Sequence, residues 1–101
     1  IAVAALEDEG VHMTKEVFAQ AIDEILGLTG IKAAFGIARL EDSVHISARS
    51  YGGVNVQVIM EELGGGGHQT MAGAQLKGIT VKEAKEKVLA VIDAYMEQEI
   101  L

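Results

Sequence analysis

The 101-residue sequence has no cysteine, and its only aromatic side chains belong to two phenylalanines and two tyrosines. The absence of cysteine excludes disulfide bonds and cysteine-ligated zinc sites. The scarcity of aromatic rings disfavours an extended platform on which the bases of single-stranded nucleic acid would stack.

Positive charge is also scarce, because 8 lysines and arginines face 15 aspartates and glutamates, which gives a net charge of −7. A protein that binds nucleic-acid backbones without sequence preference should be basic overall. Any recognition of phosphate by this chain must therefore be local, made by a few donors in one pocket.

Long hydrophobic runs are absent too. No apolar stretch approaches the roughly 20 residues of a membrane span, and no secretory signal peptide is visible. Half of the residues are nevertheless apolar, which predicts one folded domain over residues 1–101. The chain opens on an apolar run without an initiator methionine, so we expect it to be a fragment of a longer chain.

Hydrophobic periodicity predicts the elements of the first half of the chain. The continuous apolar run at 1–6 indicates a central strand covered on both faces. A helix capped by Thr14 should run to Leu28. Residues 32–40 and 44–49 should form a hairpin that turns at 41–43, with a glycine inside its first strand marking a bulge or a close approach.

The second half of the chain predicts two helices around a strand of small residues. Asn55 can cap a short helix, the strand should cover about 72–77, and Thr80 with Glu83 forms a capping box for the last helix. The order is β-α-β-β-α-β-α. The predicted fold class is therefore α/β, with a mixed β-sheet of about four to five strands covered by three helices.

The strand at 44–49 alternates between apolar and polar residues, so it should have one buried and one polar face. The residues expected on the polar face are His45, Ser47 and Arg49. Arginine offers a planar fork of donors that suits phosphate. The alternative for Arg49 is a solvated cation at a strand end.

Core packing does not explain the run of four glycines that ends in a histidine, Gly64 to His68. Glycine lets the backbone approach a ligand closely, and successive backbone N–H groups can surround an anion. We interpret the run as a ligand loop, although a flexible linker is the alternative. An extended glycine run is just long enough to travel back along the preceding helix and bring His68 near Arg49. His68 can donate to a phosphate or to a leaving oxygen, or it can be only a capping residue.

Other candidates for chemistry are weaker. His12 and His45 have the character of ordinary polar positions, and the carboxylates at 7–9 are consecutive, which is more typical of a solubilising turn than of a metal site. No spacing of histidines and carboxylates predicts a two-metal centre, and no Walker loop is present. We therefore expect no metal and no catalytic residue in this chain beyond an assisting role for His68.

Three segments together resemble the DHH-associated C-terminal domain of DHH-family phosphoesterases: Ser47-Ala48-Arg49-Ser50, Val54-Asn55-Val56, and the glycine run with the residues that follow it to Ala74. The resemblance covers essentially the whole chain. The form G-G-G-G-H-x-T-M-A-G-A is most similar to the membrane-anchored cyclic-di-AMP phosphodiesterases. Relatives in the same family include RecJ-type exonucleases and oligoribonuclease/pAp phosphatases.

The resemblance implies a role for this chain as a substrate-recognition domain. The implied substrate-binding residues are Ser47, Arg49, Ser50, Asn55, Gly65, Gly66, Gly67 and His68. The implied cofactor is a pair of manganese ions in a separate N-terminal DHH domain, the implied substrate is a cyclic dinucleotide or a short oligonucleotide, and a homodimer is possible. The parent protein would be anchored in the cell membrane, with this domain on the cytoplasmic side.

Three hypotheses for function follow. The first is a domain of a manganese-dependent phosphodiesterase that linearises cyclic-di-AMP. The second is the same domain in an oligoribonuclease/pAp phosphatase or a RecJ-like exonuclease. The third is a regulatory nucleotide-binding module without catalysis.

Overall fold

A computed structural model describes residues 1–6, 15–28, 30–40 and 42–100. The elements in chain order are β1 (Ala2–Leu6), α1 (Lys15–Leu26), β2 (Ala33–Leu40), β3 (Ser43–Ser50), α2 (Val56–Glu62), β4 (Gly66–Gly67), β5 (Met71–Leu76) and α3 (Val81–Ile100). This α/β architecture and its order confirm the predicted fold, with one short strand, β4, added inside the glycine run. The predicted cap at Thr14 and the histidine His12 lie outside the described residues.

The five strands form one mixed sheet in the order β1-β2-β3-β5-β4. β1 runs parallel to β2, and each of the other neighbouring pairs is antiparallel. The prediction of a central first strand is wrong, because β1 lies at one edge of this sheet. An apolar composition reports how well the faces of a strand tolerate burial, and it says nothing about whether both edges are paired. The alanines of β1 also tolerate exposure, as Ala4 shows.

The larger core lies on the sheet face that α2 and α3 cover. Its fully buried members include Phe35, Ile37, Ile59, Met60 and Val88. The predicted capping box of α3 is confirmed in both directions. The Glu83 backbone N–H donates to Thr80 Oγ1 over 3.0 Å, and the Thr80 N–H donates to Glu83 Oε1 over 3.1 Å. α3 thus begins where the sequence predicts.

The opposite sheet face carries a smaller core beneath α1, in which Phe18, Ile22 and Leu26 pack on Ala34 and Ala38. A side chain at Gly36 would overlap Ile22, so this glycine marks a close approach of helix to strand. The ladder across Gly36 is regular, which excludes the alternative of a bulge. Val17 of α1 is 52% exposed, because it lies at the margin of the apolar stripe.

The β2–β3 hairpin is confirmed, with a tighter turn than predicted. Leu40 pairs with Ser43, so Ser43 belongs to β3 and not to the turn. It is 2% exposed and accepts a hydrogen bond of 2.8 Å from Gln75 Nε2. Among the described residues, no helix is long and apolar enough to cross a lipid bilayer.

Candidate functional site

The polar face of β3 forms the centre of the candidate site. Val44, Ile46 and Ala48 are buried in the larger core, as the alternation of the strand predicts. Ser47 and Arg49 therefore lie on the α1 side of the sheet, where each is partly buried. α1 packs mainly on β2, so this face is less covered at β3 and β5.

Arg49 is held in place by its own strand and by α1. Its side chain is 13% exposed. Nη1 donates to Ser47 Oγ over 3.1 Å and to the Ala48 carbonyl oxygen over 2.9 Å. Nε lies 3.2 Å from Oδ1 of Asp23 on α1, and it is buried without an aligned hydrogen bond. Arg49 is thus a positioned cation and not the freely solvated strand-end residue of the alternative interpretation.

One nitrogen of the Arg49 guanidinium is available to donate to a ligand. Within the described part of the chain, Nη2 has no hydrogen-bond partner. Asp23 is 58% exposed, so its charge is well solvated and neutralises Arg49 only in part. An anion that reached Nη2 would gain charge-assisted hydrogen bonds without displacing the contacts that orient the side chain.

The first glycine of the run ends α2. Gly64 has φ 82°, and its N–H donates to the Glu61 carbonyl, while the Gly65 N–H donates to the Met60 carbonyl over 2.8 Å. This pair of bonds is a Schellman motif, in which a left-handed glycine satisfies the last helical carbonyls. The conformation of Gly64 is therefore explained by helix termination, with no ligand required.

The three remaining glycines differ in what requires them. A Cβ at Gly65 would overlap the Gly73 carbonyl oxygen of β5, and a Cβ at Gly67 would overlap Met71 and Ala72. Gly67 also has φ 146°. Gly66 does not have a positive φ, and a Cβ added there would meet no atom within 4 Å, so the fold itself places no demand for glycine at this position. Of the four, Gly66 is the one whose lack of a side chain calls for an explanation outside the domain.

The glycine run forms an edge hairpin instead of a loop that runs back along α2. β4 pairs with β5, and the His68 N–H donates to the Met71 carbonyl over 2.6 Å to close the turn. Met71 is in turn the register partner of Arg49. His68, which is exposed, therefore lies two strand spacings from Arg49, roughly 10 Å between their Cα atoms. The sheet register, and not the predicted path along α2, sets the distance between these two residues.

Ser50 and Asn55 both have structural partners. Ser50 is 6% exposed and donates to the Val54 carbonyl over 2.7 Å, on the opposite side of the sheet from Arg49. Asn55 is the cap of α2, as predicted, since its Oδ1 accepts from the N–H groups of Gln57 and Val58. The structure brings Ser47, Arg49 and the glycine hairpin to one region. Ser50 contacts the turn of that hairpin from the other face of the sheet, since its hydroxyl lies 3.5 Å from the Gln69 carbonyl oxygen.

We expect Ser50→Ala to destabilise the domain without changing substrate binding. The substitution leaves the Val54 carbonyl without its partner, which should lower the free energy of unfolding by about 1–3 kcal/mol. Ser47→Ala is the matched control. Ser47 is only partly buried, and its hydroxyl accepts a hydrogen bond from Arg49. Urea unfolding and the dissociation constant for a cyclic dinucleotide distinguish the two variants. Weaker binding with normal stability in Ser50→Ala would return Ser50 to the binding site.

A groove of about 390 Å³ extends along the same sheet face, within the usual size range of ligand pockets. Its lining includes Phe18 of α1, His45 and Ser47 of β3, and Gly65 and Gln75 at the β5 edge. Ser47 thus connects Arg49 to this groove. Ser43 Oγ lies 3.2 Å from His45 Nε2, so the buried Ser43 hydroxyl orients the imidazole ring that lines the groove.

The pattern of the sequence did not identify two neighbours of Arg49. Asp23 lies on the margin of an amphipathic helix, where a carboxylate is ordinarily a solvated residue. Tyr51 follows β3 directly, and its hydroxyl donates to the Leu26 carbonyl of α1 over 3.0 Å. Only the packing of α1 on the sheet brings Asp23 to Arg49 and the Leu26 carbonyl to the Tyr51 hydroxyl. No group of three or more histidine or acidic side chains that could hold a metal ion occurs in the described ranges.

Comparisons with known proteins show what the chain is similar to. The DHHA1 domain model matches residues 1–98. The chain is 50% identical over 99 residues to the cyclic-di-AMP phosphodiesterase GdpP of Bacillus subtilis, covering 96% of this chain and 15% of that protein. It is 38% identical over 86 residues to the bifunctional oligoribonuclease and PAP phosphatase NrnA of Thermus thermophilus, covering 85% of this chain and 26% of the relative.

Among solved structures, the C-Ala domain of Aquifex aeolicus alanyl-tRNA synthetase superposes with a TM-score of 0.67 at 18% identity, covering 89% of this chain and 88% of that one. At this identity the likeness concerns the fold alone. The chain spans only about 15% of the length of the first of its curated relatives, whereas the family match extends over almost all of its residues. The chain belongs to the DHHA1 domain family.

Proposed function

We propose that this chain is the substrate-binding domain of a manganese-dependent phosphodiesterase that hydrolyses cyclic-di-AMP to linear pApA. The observation that carries the proposal is the placement of Arg49, which is oriented by fixed contacts and has an unpartnered Nη2 beside the glycine hairpin. The 50% identity to a cyclic-di-AMP phosphodiesterase over nearly the whole chain supports the choice of substrate.

In this proposal the chain binds and orients the substrate. Nη2 of Arg49 donates to a nonbridging phosphate oxygen. β4 is an edge strand, so part of its backbone faces away from β5 and is available to the ligand. The missing side chain at Gly66 lets the phosphate approach that backbone closely. His68 adds a donor at the end of the hairpin.

The two manganese ions belong, in this proposal, to a DHH domain elsewhere in the longer protein. The described residues hold no cluster that fits a metal ion. When bound, such a metal pair activates water and neutralises charge on the phosphoryl group. We further propose that the parent protein is anchored in the cell membrane with this domain on the cytoplasmic side, and cell fractionation tests that location. A homodimer stays a prediction, and sedimentation analysis, which measures the mass of the assembly, tests it.

The test compares substrates on the full-length protein with manganese. We expect cyclic-di-AMP to give linear pApA with a higher kcat/KM than pAp or a short oligoadenylate gives. The isolated domain, shown to be folded by circular dichroism, should hydrolyse none of them, because the residues that the structure describes contain no group of ligands for the metals. Turnover by the isolated domain, with contamination excluded by an inactive variant, would contradict the proposal that substrate binding and catalysis belong to two different domains.

The alternative is an oligoribonuclease or pAp phosphatase, which the 38% identity to NrnA favours. Preference for pAp or short oligonucleotides over the cyclic dinucleotide in the same assay would support it, and a RecJ-like preference for longer single strands would be visible there too. Binding of nucleotide by a full-length protein that hydrolyses nothing would favour the non-catalytic module.

We expect His68→Ala to reduce activity only in part. The variant removes one donor but leaves the path of the hairpin unchanged, since the His68 contacts that close the turn are made by its backbone. The loss in kcat/KM should be about tenfold, and larger for the cyclic dinucleotide than for a phosphodiester without bases. Gln69→Ala, at an exposed neighbour in the same turn, is the control. Equal activity in both variants and the wild type would show that His68 only occupies a turn.

A further inference from the structure

Tyr51 presents its ring to solvent at the end of β3. At 68% exposure it is the most exposed of the large hydrophobic residues in the described part of the chain. The hydroxyl nevertheless has a defined partner, the Leu26 carbonyl at 3.0 Å. Packing does not account for a ring in this position, because tyrosine normally buries its ring and leaves its hydroxyl wet.

Contacts at both ends of the residue fix the orientation of the ring. The Tyr51 N–H donates to the Lys32 carbonyl over 3.3 Å, which continues the pairing of β3 with β2. The hydroxyl satisfies a carbonyl in the last turn of α1 that has no helical partner. The ring is therefore held across the gap between strand and helix, and its conformational entropy is already reduced before any ligand arrives.

Tyr51 follows Arg49 by two residues, and both side chains contact α1. Arg49 contacts the Asp23 carboxylate, and Tyr51 contacts the backbone carbonyl of Leu26, three residues further along the helix. Two residues of extended chain separate their Cα atoms by about 7 Å. Met71, the register partner of Arg49, is 50% exposed and adds apolar surface on the neighbouring strand.

We propose that Tyr51 stacks on a base of the nucleotide whose phosphate Arg49 binds, which makes it a specificity-determining residue of this site. The inference rests on the proposed function and adds to it how the domain recognises the nucleoside part of its substrate. A cation and a fixed aromatic face at this spacing match a phosphate and the base that its ribose carries.

The same geometry limits which ligands Tyr51 can distinguish. Every base has a π-face, so stacking is tolerant of sequence. The hydroxyl is committed to Leu26 and is not available to read the edge of a base. Tyr51 therefore selects ligands that have a base over those that have none, and it does not distinguish one purine from another.

The test uses the full-length protein with three ligands: cyclic-di-AMP, its analogue carrying 2-aminopurine, and the methyl ester of ribose 5-phosphate, a phosphodiester that has no base and no aromatic ring. We expect Tyr51→Leu to raise the KM for cyclic-di-AMP about tenfold and to abolish the quenching of 2-aminopurine fluorescence on binding. Tyr51→Phe keeps the ring but loses the hydroxyl bond that holds it, so its KM should lie between those of the wild type and Tyr51→Leu. Hydrolysis of the base-free ester should be equal in all three proteins.

The matched control is Met96→Ala, at an exposed apolar residue of α3 on the other face of the sheet, and it should change none of these values. Unchanged KM and quenching in Tyr51→Leu, with an active wild type, would overturn the stacking role alone. An equal loss for the dinucleotide and the base-free ester would overturn it as well, because it would show that Tyr51 only secures α1. Failure of the wild type to bind any nucleotide would overturn the proposed function and, with it, this inference.

Discussion

Replacing Gly66 with valine should abolish hydrolysis of the natural substrate by the full-length protein while leaving the domain folded. No atom lies within 4 Å of the position that a Cβ would take, and φ at Gly66 is not positive. Valine is well suited to an extended edge strand. The side chain would instead occupy the space through which a phosphate reaches the hairpin backbone. Because a displacement of about 1 Å can cost 10²-fold in rate, we expect kcat/KM to fall by about 100-fold or more.

The other glycines of the hairpin provide the controls for this prediction. Gly65→Ala and Gly67→Ala place a Cβ against the backbone of β5, so they should lower the free energy of unfolding as well as activity. Gly66→Val should lower activity alone, as measured by urea unfolding and by steady-state kinetics on the same preparations. Normal activity in Gly66→Val would show that the hairpin does not contact substrate, and that only the family membership supports a site here.

Arg49→Ala should weaken substrate binding by about 1.5–3 kcal/mol, the range for a charge-assisted hydrogen bond. This corresponds to a rise of roughly 10- to 150-fold in the dissociation constant. Arg49→Lys should recover only part of the loss, because an ammonium group cannot bind Ser47, the Ala48 carbonyl and a phosphate in one plane. Isothermal titration with a nonhydrolysable dinucleotide measures the effect.

Asp23→Asn separates the two roles that Arg49 could have. The carboxylate is 58% exposed, so loss of the ion pair should change the free energy of unfolding by no more than about 1 kcal/mol. If Arg49 binds substrate, Arg49→Ala weakens binding far more than it weakens folding. A large fall in the thermal midpoint of Arg49→Ala together with unchanged substrate binding would instead make Arg49 a structural residue.

Local rules in the sequence account for the elements that the structure confirms. The alternation of β3, the cap at Asn55 and the reciprocal bonds of Thr80 and Glu83 all act within a few residues of the chain. Such interactions form in nearly the same way whatever surrounds them. The motif that ends in His68 is recognisable for the same reason, since its residues are contiguous.

Predictions that depend on non-local contacts are less accurate. The apolar run of β1 indicates a central strand, yet its position at the sheet edge depends on how strands assemble. The polarity of Ser43 predicts a turn, whereas its pairing with Leu40 and its bond to Gln75 bury it within β3. The family resemblance groups Ser50 with Arg49, and the sequence does not show that the Ser50 hydroxyl is bound by the Val54 carbonyl.

The sequence by itself determined the α/β class, the sites of helix capping, the polar face of β3 and the family of the domain, because each is encoded in residue types at short and fixed spacings. The tertiary structure alone decided which glycines the fold requires, that Asp23 accompanies Arg49, and that the Leu26 carbonyl holds the Tyr51 hydroxyl. These outcomes depend on contacts between residues far apart in the chain, such as Arg49 with Asp23 and Gly65 with Gly73. No local spacing specifies such contacts, since they exist only after α1 and the β4–β5 hairpin have packed against the sheet.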